Sequence, residues 1–146
     1  MENGRVAVVT TAPGELEIGP EADPSPEPGE VVVETLATGI CGSDLHLFAG
    51  DHPYAHFPLA QGHEAVGRIV ALGQGADAAL EGALVAIEPT LECGECPECR
   101  RGAYNRCERL QVVGVHRDGS LAGRFVTRAA KAHRVRDDDD RLGRAP

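Results

Sequence analysis

The sequence contains no tryptophan and one methionine, and aromatic residues make up only 3% of its 146 positions. A core built from it must rest on Val, Ala, Leu and Ile, which the 42% hydrophobic content supplies. Positive charge is scarce as well: 14 Lys and Arg stand against 23 Asp and Glu, a formal net charge of −9. That balance opposes sequence-independent nucleic-acid binding, which draws its affinity from Lys and Arg on phosphates. Apolar runs such as Val6 to Val9 fall far short of the roughly 20 residues of a membrane span. The N-terminus shows no basic-then-apolar leader pattern. The expectation is a cytoplasmic protein with no nucleic-acid and no membrane partner, and the length suits one domain or a piece of a larger protein, since domains run to roughly 100–200 residues.

Glycine and proline are plentiful, at 18 and 10 residues, and they punctuate short apolar segments. Val6 to Val9 and Leu16 to Ile18, separated by Pro13-Gly14, read as a β-hairpin. Pro20 to Gly29 carries four prolines and reads as an extended loop. Val31 to Thr38 is β-branched and predicts a strand, Ile40 to Phe48 a short helical turn, and Ala65 to Leu72 and Ala83 to Glu88 two further strands. Many short strands and few helices point to a mainly β fold, a sandwich or irregular barrel. The pair Gly73 and Gly75 lacks the third glycine of a nucleotide-binding loop and reads as a turn. The run Asp137 to Asp140 lacks the spaced oxygen ligands of a calcium loop and reads as a solvated tail.

Four of the five cysteines, Cys93, Cys96, Cys99 and Cys107, fall within 15 residues, while Cys41 stands apart. Reduced thiols so clustered suit a metal better than a disulfide framework. Four thiolates can close a tetrahedron around one zinc ion at Zn–S distances of about 2.3 Å, leaving no open position, so such an ion would hold structure. An iron–sulfur cluster also uses four cysteines, although the ferredoxin pattern has a shorter last interval and a proline after its final Cys, where Glu108 stands here.

A second constellation joins Cys41, in Gly39-Ile40-Cys41-Gly42-Ser43-Asp44-Leu45-His46, to Gly62-His63-Glu64-Ala65-Val66-Gly67. A thiolate, an imidazole and a carboxylate make an incomplete zinc shell of the kind that leaves a position for water or substrate.

Pro28-Gly29-Glu30-Val31, the run from Gly39 to His46, Gly62-His63-Glu64 with Gly67, and the four-cysteine loop occur together in the order and spacing of one family. The sequence resembles the N-terminal, GroES-like catalytic domain of the zinc-dependent medium-chain dehydrogenases, which include alcohol, sorbitol and threonine dehydrogenases. The likeness covers about residues 5 to 135. Leu110 to Gly119 is most similar to polyol and sugar-acid dehydrogenases, whereas Asp118 to Phe125 departs from the family's usual stretch.

This resemblance implies a mainly β, GroES-like irregular barrel with short helices and a zinc-binding loop over residues 1–136, followed by an acidic tail over 137–146. It implies two zinc ions per chain: a structural one on Cys93, Cys96, Cys99 and Cys107, and a catalytic one on Cys41 and His63, with Glu64 able to ligate or to exchange with water. Asp44 matches the residue that hydrogen-bonds the zinc histidine, and Ser43 and His46 match the proton relay. The expected reaction is oxidation of a small alcohol, polyol or sugar acid with NAD or NADP, in a complete enzyme expected to be a homo-oligomer. No glycine-rich fingerprint after a strand occurs here, so a Rossmann cofactor domain is expected to be absent and the chain alone inactive. Two other readings stay open, a stand-alone zinc-stabilised binding module and an iron–sulfur or thiol redox protein.

Overall fold

The computed structural model describes residues 4–21 and 23–135. The acidic run Asp137 to Asp140, and with it the tail assigned to 137–146, lies outside the described residues. Strands β1 (Val6–Ala12) and β2 (Glu15–Pro20) form the expected hairpin, with Val6 opposite Pro20, Thr10 opposite Leu16 and the turn at Pro13 and Gly14. The free edge of β1 takes the two-residue strand β4 (Leu59–Ala60). The larger sheet has five antiparallel strands in the order β10 (Ala132–Arg134), β6 (Leu84–Ile87), β5 (Glu64–Leu72), β3 (Glu30–Gly39) and β9 (Arg124–Arg128). A third sheet is the short pair β7 (Thr90–Leu91) and β8 (Gln111–Val112).

β3 is the central strand, and its sequence shows why. Val31, Val32 and Val33 are all buried, so both faces of the strand are covered at that point, the situation that favours an unbroken β-branched run over alternation. Val31, Val33, Ile69, Val85, Leu91 and Phe125 share one hydrophobic cluster, aliphatic except for one ring, as the aromatic-poor composition requires. The buried Ser120 and Phe125 show that the segment from Asp118 onward is packed into the body of the protein.

After β3 the chain turns through Ile40 into helix α1 (Gly42–Ala49), whose N-cap is Cys41. The helix buries Leu47 and Asp44 and stops at Gly50, whose φ of 82° is open to glycine and costly for other residues. Helix α2 (Pro97–Arg100) is a single turn inside the cysteine loop. Gly73 and Gly75 lie in a turn after β5, as read from the sequence. Among the described residues no helix is long and apolar enough to cross a membrane.

Candidate functional site

The four-cysteine loop closes on itself. The sulfurs of Cys93, Cys96, Cys99 and Cys107 lie within 4.8 Å of one another, and those of Cys93 and Cys99 are 4.0 Å apart. A tetrahedral site with bonds of about 2.3 Å has sulfur–sulfur edges of about 3.8 Å, so these positions suit one small ion at their centre. A four-iron cluster occupies volume between its ligands and needs them further apart. Cys96 caps α2 and Pro97 opens it, which turns the chain so that successive amides face the sulfurs. The N–H groups of Cys96, Cys99 and Arg109 donate to Sγ of Cys93, Cys96 and Cys107 at 3.4, 3.5 and 3.4 Å. Amide donation, first from Glu95, holds the Cys93 thiol down to about 6, whereas loss of solvent, reinforced by the neighbouring sulfurs, pushes Cys99 up to about 12. Four thiols this close resist ionising together unless a divalent cation compensates them, so the donor set fits a metal.

The loop is tied to the large sheet by one buried cation. Lys131, 6% exposed, donates to Glu88 at 2.7 Å and pairs with Glu92 at 2.8 Å, and its ammonium stands 5.1 Å from the Tyr104 ring. The hydrogen bond from Lys131, aided by that from Thr90, holds the Glu88 carboxyl down to about 2.

The second cluster arises where two neighbouring strands end. Gly39, the last residue of β3, is opposite Glu64, the first of β5, so Cys41 just beyond one strand meets His63 just before the other. Donor atoms of Cys41, His63 and Glu64 lie within 4.8 Å of one another. A Cβ on Gly39 would fall 2.5 Å from Glu64 Oε2, so glycine there leaves room for that carboxylate.

Asp44 holds the cluster from behind. Its buried carboxylate accepts the Cys41 N–H at 2.8 Å and the Gly62 N–H at 3.3 Å, and its Oδ1 is 3.6 Å from His63 Nδ1. His63 Nδ1 is buried and has no closer partner. A proton on Nδ1 directed at Asp44 leaves Nε2 as a lone-pair donor, the tautomer that metal ligation requires. Gln61 donates to the Asp44 carbonyl at 3.0 Å and accepts from Thr10 at 3.0 Å. The segment before His63 is clamped by the 119–121 turn, where Ser120 N–H and Leu121 N–H donate to Gly62 O and Gln61 O, both at 2.9 Å. That approach excludes side chains, since a Cβ on Gly119 would lie 2.0 Å from Gly62 O. A four-coordinate ion held by these three donors would keep one position for a small molecule.

Ser43 Oγ is 3.5 Å from His63 Nε2. His46 lies three residues further along α1, on the same face of the helix, and is exposed to solvent. Ser43 and His63 line a cavity of about 440 Å³. His46 is not among its lining residues, whereas His52, Tyr54 and His116 are. Sequence reading missed these three, each of which is an ordinary surface residue type. His116 lies within Leu110 to Gly119, a stretch whose residues resemble polyol and sugar-acid dehydrogenases but carry no motif that marks a site.

Residues 27–137 match the family model of the alcohol dehydrogenase GroES-like domain. Starvation-sensing protein RspB of Escherichia coli (strain K12) is 39% identical over 129 residues, which are 88% of this chain and 38% of that protein. L-threonine 3-dehydrogenase of Pyrococcus horikoshii is 39% identical over 127 residues, 84% of this chain and 36% of that protein. Among solved structures, the rspB alcohol dehydrogenase from E. coli CFT073, complexed with NADH, superimposes with a TM-score of 0.86 at 36% identity, covering 92% of this chain and 39% of that one. The chain thus spans about two fifths of the length of the relatives it matches.

Proposed function

This chain belongs to the alcohol dehydrogenase GroES-like domain family, and from that membership we propose that it is the catalytic part of a zinc-dependent dehydrogenase oxidising a small alcohol or polyol with NAD or NADP. The observation that carries the reading is the convergence of Cys41, His63 and Glu64, with Asp44 behind the histidine. In this reading Cys41, His63 and Glu64 would hold the catalytic zinc. Cys93, Cys96, Cys99 and Cys107 hold the structural zinc. The catalytic ion supplies Lewis acidity that lets an alcohol hydroxyl give up its proton near neutral pH.

The chain's own residues then manage that proton. The Asp44 carboxylate, 3.6 Å from His63 Nδ1, favours a proton on that nitrogen and leaves Nε2 free to ligate, and Ser43 Oγ, 3.5 Å from Nε2, is placed to accept the substrate proton. His46, further along the same helix face and open to water, passes it to solvent. A nicotinamide cofactor would take the hydride from the carbinol carbon as the alcohol becomes a carbonyl. NADH is bound in the solved relative, and here the cofactor-binding part is expected beyond the portion that this chain aligns to. By itself the chain therefore should not turn over, and the complete enzyme is expected to form a homo-oligomer.

The test is to fuse the chain to the cofactor-binding portion of RspB and follow alcohol-dependent NADH formation after zinc loading. Turnover abolished by His63→Ala and slowed by Ser43→Ala supports the reading. Equal turnover in His63→Ala refutes it.

A further inference from the structure

Two buried polar side chains outside the metal-donor set converge on Asp44. Thr10 stands on β1 and Gln61 directly after β4, and both are buried, as is Asp44 itself. The Thr10 hydroxyl donates to Gln61 Oε1 at 3.0 Å, and Gln61 Nε2 donates to the Asp44 carbonyl at 3.0 Å. The direction of this chain is fixed, because a carbonyl can only accept: the amide must turn its NH2 to Asp44, which leaves its oxygen for Thr10 and makes the hydroxyl the donor. The next backbone amide, Gly62 N–H, reaches the Asp44 carboxylate at 3.3 Å. Residues 61 and 62 therefore hold Asp44 by its main chain and by its side chain at once. The hairpin that carries Thr10 also grips the far end of α1, where Gly14 N–H donates to Phe48 O at 2.7 Å and a Cβ on Gly50 would fall 3.0 Å from Pro13. Thr10 and Gly14 precede residues 27–137, the stretch that matches the family model, so the grip comes from a part of the chain which that match does not reach.

The site is sensitive to where α1 sits. Asp44 Oδ1 is 3.6 Å from His63 Nδ1, just beyond the reach of an N–H···O bond, so a small shift of α1 strengthens or removes the hold on the ring. Cys41, the N-cap of α1, moves with the same helix. Stability alone does not call for a hydrogen-bonded pair at this point, since two apolar groups of the same shape would fill the space at almost no cost. What Thr10 and Gln61 add is direction, which apolar packing lacks and a fully satisfied buried polar chain supplies. We propose that Gln61 and Thr10 are positioning residues of the Cys41–His63 site: they fix α1 against residues 61–63 and so keep the Asp44 carboxylate opposed to His63 Nδ1. The proposal rests on the preceding reading only in taking that site to hold a metal.

Thr10→Val, Gln61→Met and the variant carrying both separate position from stability. In zinc competition with a chromophoric chelator, Gln61→Met should weaken the Cys41–His63 site about tenfold, the low end of the effect of losing a partner behind a metal ligand, and leave the cysteine-loop ion as tightly bound as in the parent. Thr10→Val, which frees the amide to turn but leaves it in place, should lose about threefold, part of the worth of one hydrogen bond. Thr10→Ser, which keeps the hydroxyl, should bind as the parent does. The double variant, apolar at both positions, should return to within about 3 °C of the parent Tm and still bind zinc about tenfold more weakly. In the metal-free chain at about pH 8, where a free imidazole is neutral, histidine-selective NMR should place the His63 proton on Nδ1 in the parent and move it toward Nε2 in Gln61→Met and in the double variant. A double variant that regains zinc affinity along with its Tm, or a His63 tautomer that Gln61→Met leaves unchanged, overturns the positioning role. A zinc count that His63→Ala leaves unchanged overturns the catalytic-zinc reading instead, and the tautomer in the metal-free chain then decides the positioning role by itself.

Discussion

Asp44→Asn is the perturbation that reaches furthest into the site. Asp44 is 3% exposed, and its two oxygens accept N–H groups on both sides of the cluster, Cys41 at 2.8 Å and Gly62 at 3.3 Å. An amide keeps one acceptor and turns its NH2 toward the other N–H, so one charge-assisted bond is lost and a buried donor is left facing a donor. A hydrogen bond to a charged group contributes about 1.5–3 kcal/mol net, and an unsatisfied buried group costs about 1–3 kcal/mol. Because these ranges describe overlapping effects, the expected loss is about 3 kcal/mol, or about 10 °C in the Tm of a chain of this size. A further loss should appear only with metal present. Removing the acceptor opposite a metal-ligating histidine lowers metal affinity by about 10–100-fold. The assay is thermal unfolding with chelator and with saturating zinc, followed by competition with a chromophoric chelator. Asp44→Ala, which leaves both amides unpaired, should be worse in both measurements. A Tm within 2 °C of the parent under chelation, together with unchanged zinc competition (about 2 °C being less than 1 kcal/mol), would refute the assignment of Asp44 as the brace of the site.

Cys96→Ser should release the loop ion and raise proteolysis between Glu92 and Arg109, because metal binding there is folding free energy; limited digestion with zinc quantification checks it. Gly119→Ala places a Cβ 2.0 Å from the backbone oxygen of Gly62, so it should cost about 1–3 kcal/mol in denaturant unfolding and weaken zinc binding at His63 more than in the cysteine loop. Glu88 has its folded pKa depressed to about 2 from 4.5, so its pairing stabilises the protein above pH 4.5 and that contribution is lost as pH falls toward 2. With Glu88 31% exposed, the part lost is on the order of 2 kcal/mol, and comparison of urea midpoints with Lys131→Met, which should lack this acid-dependent component, isolates it from metal release.

The legible parts of the fold are those marked by local chemistry. Pro13-Gly14 sets the hairpin turn, the valine run at 31–33 gives the central strand, and the predicted strands 65–72 and 83–88 agree with β5 and β6 to within one residue at each end. The two-residue strands β4, β7 and β8 carry no periodicity that a reader could detect, and β9 and β10 owe their pairing to β3 and β6, far away in sequence. The metal clusters were visible because cysteine and histidine are few and their spacing is specific. His52, Tyr54 and His116 line one cavity only because the loop after α1 and the 112–116 turn meet in space. Asp44 was named through family resemblance; its hold on two backbone amides needed the fold.

The most direct test of the two-site account is the zinc content of the purified chain, measured by mass spectrometry of the metal beside His63→Ala and Cys96→Ser. The account predicts two ions per parent chain and one in each variant, with the ion retained by Cys96→Ser being the one that mild chelation removes first. One ion per parent chain, lost in Cys96→Ser and retained in His63→Ala, would contradict it.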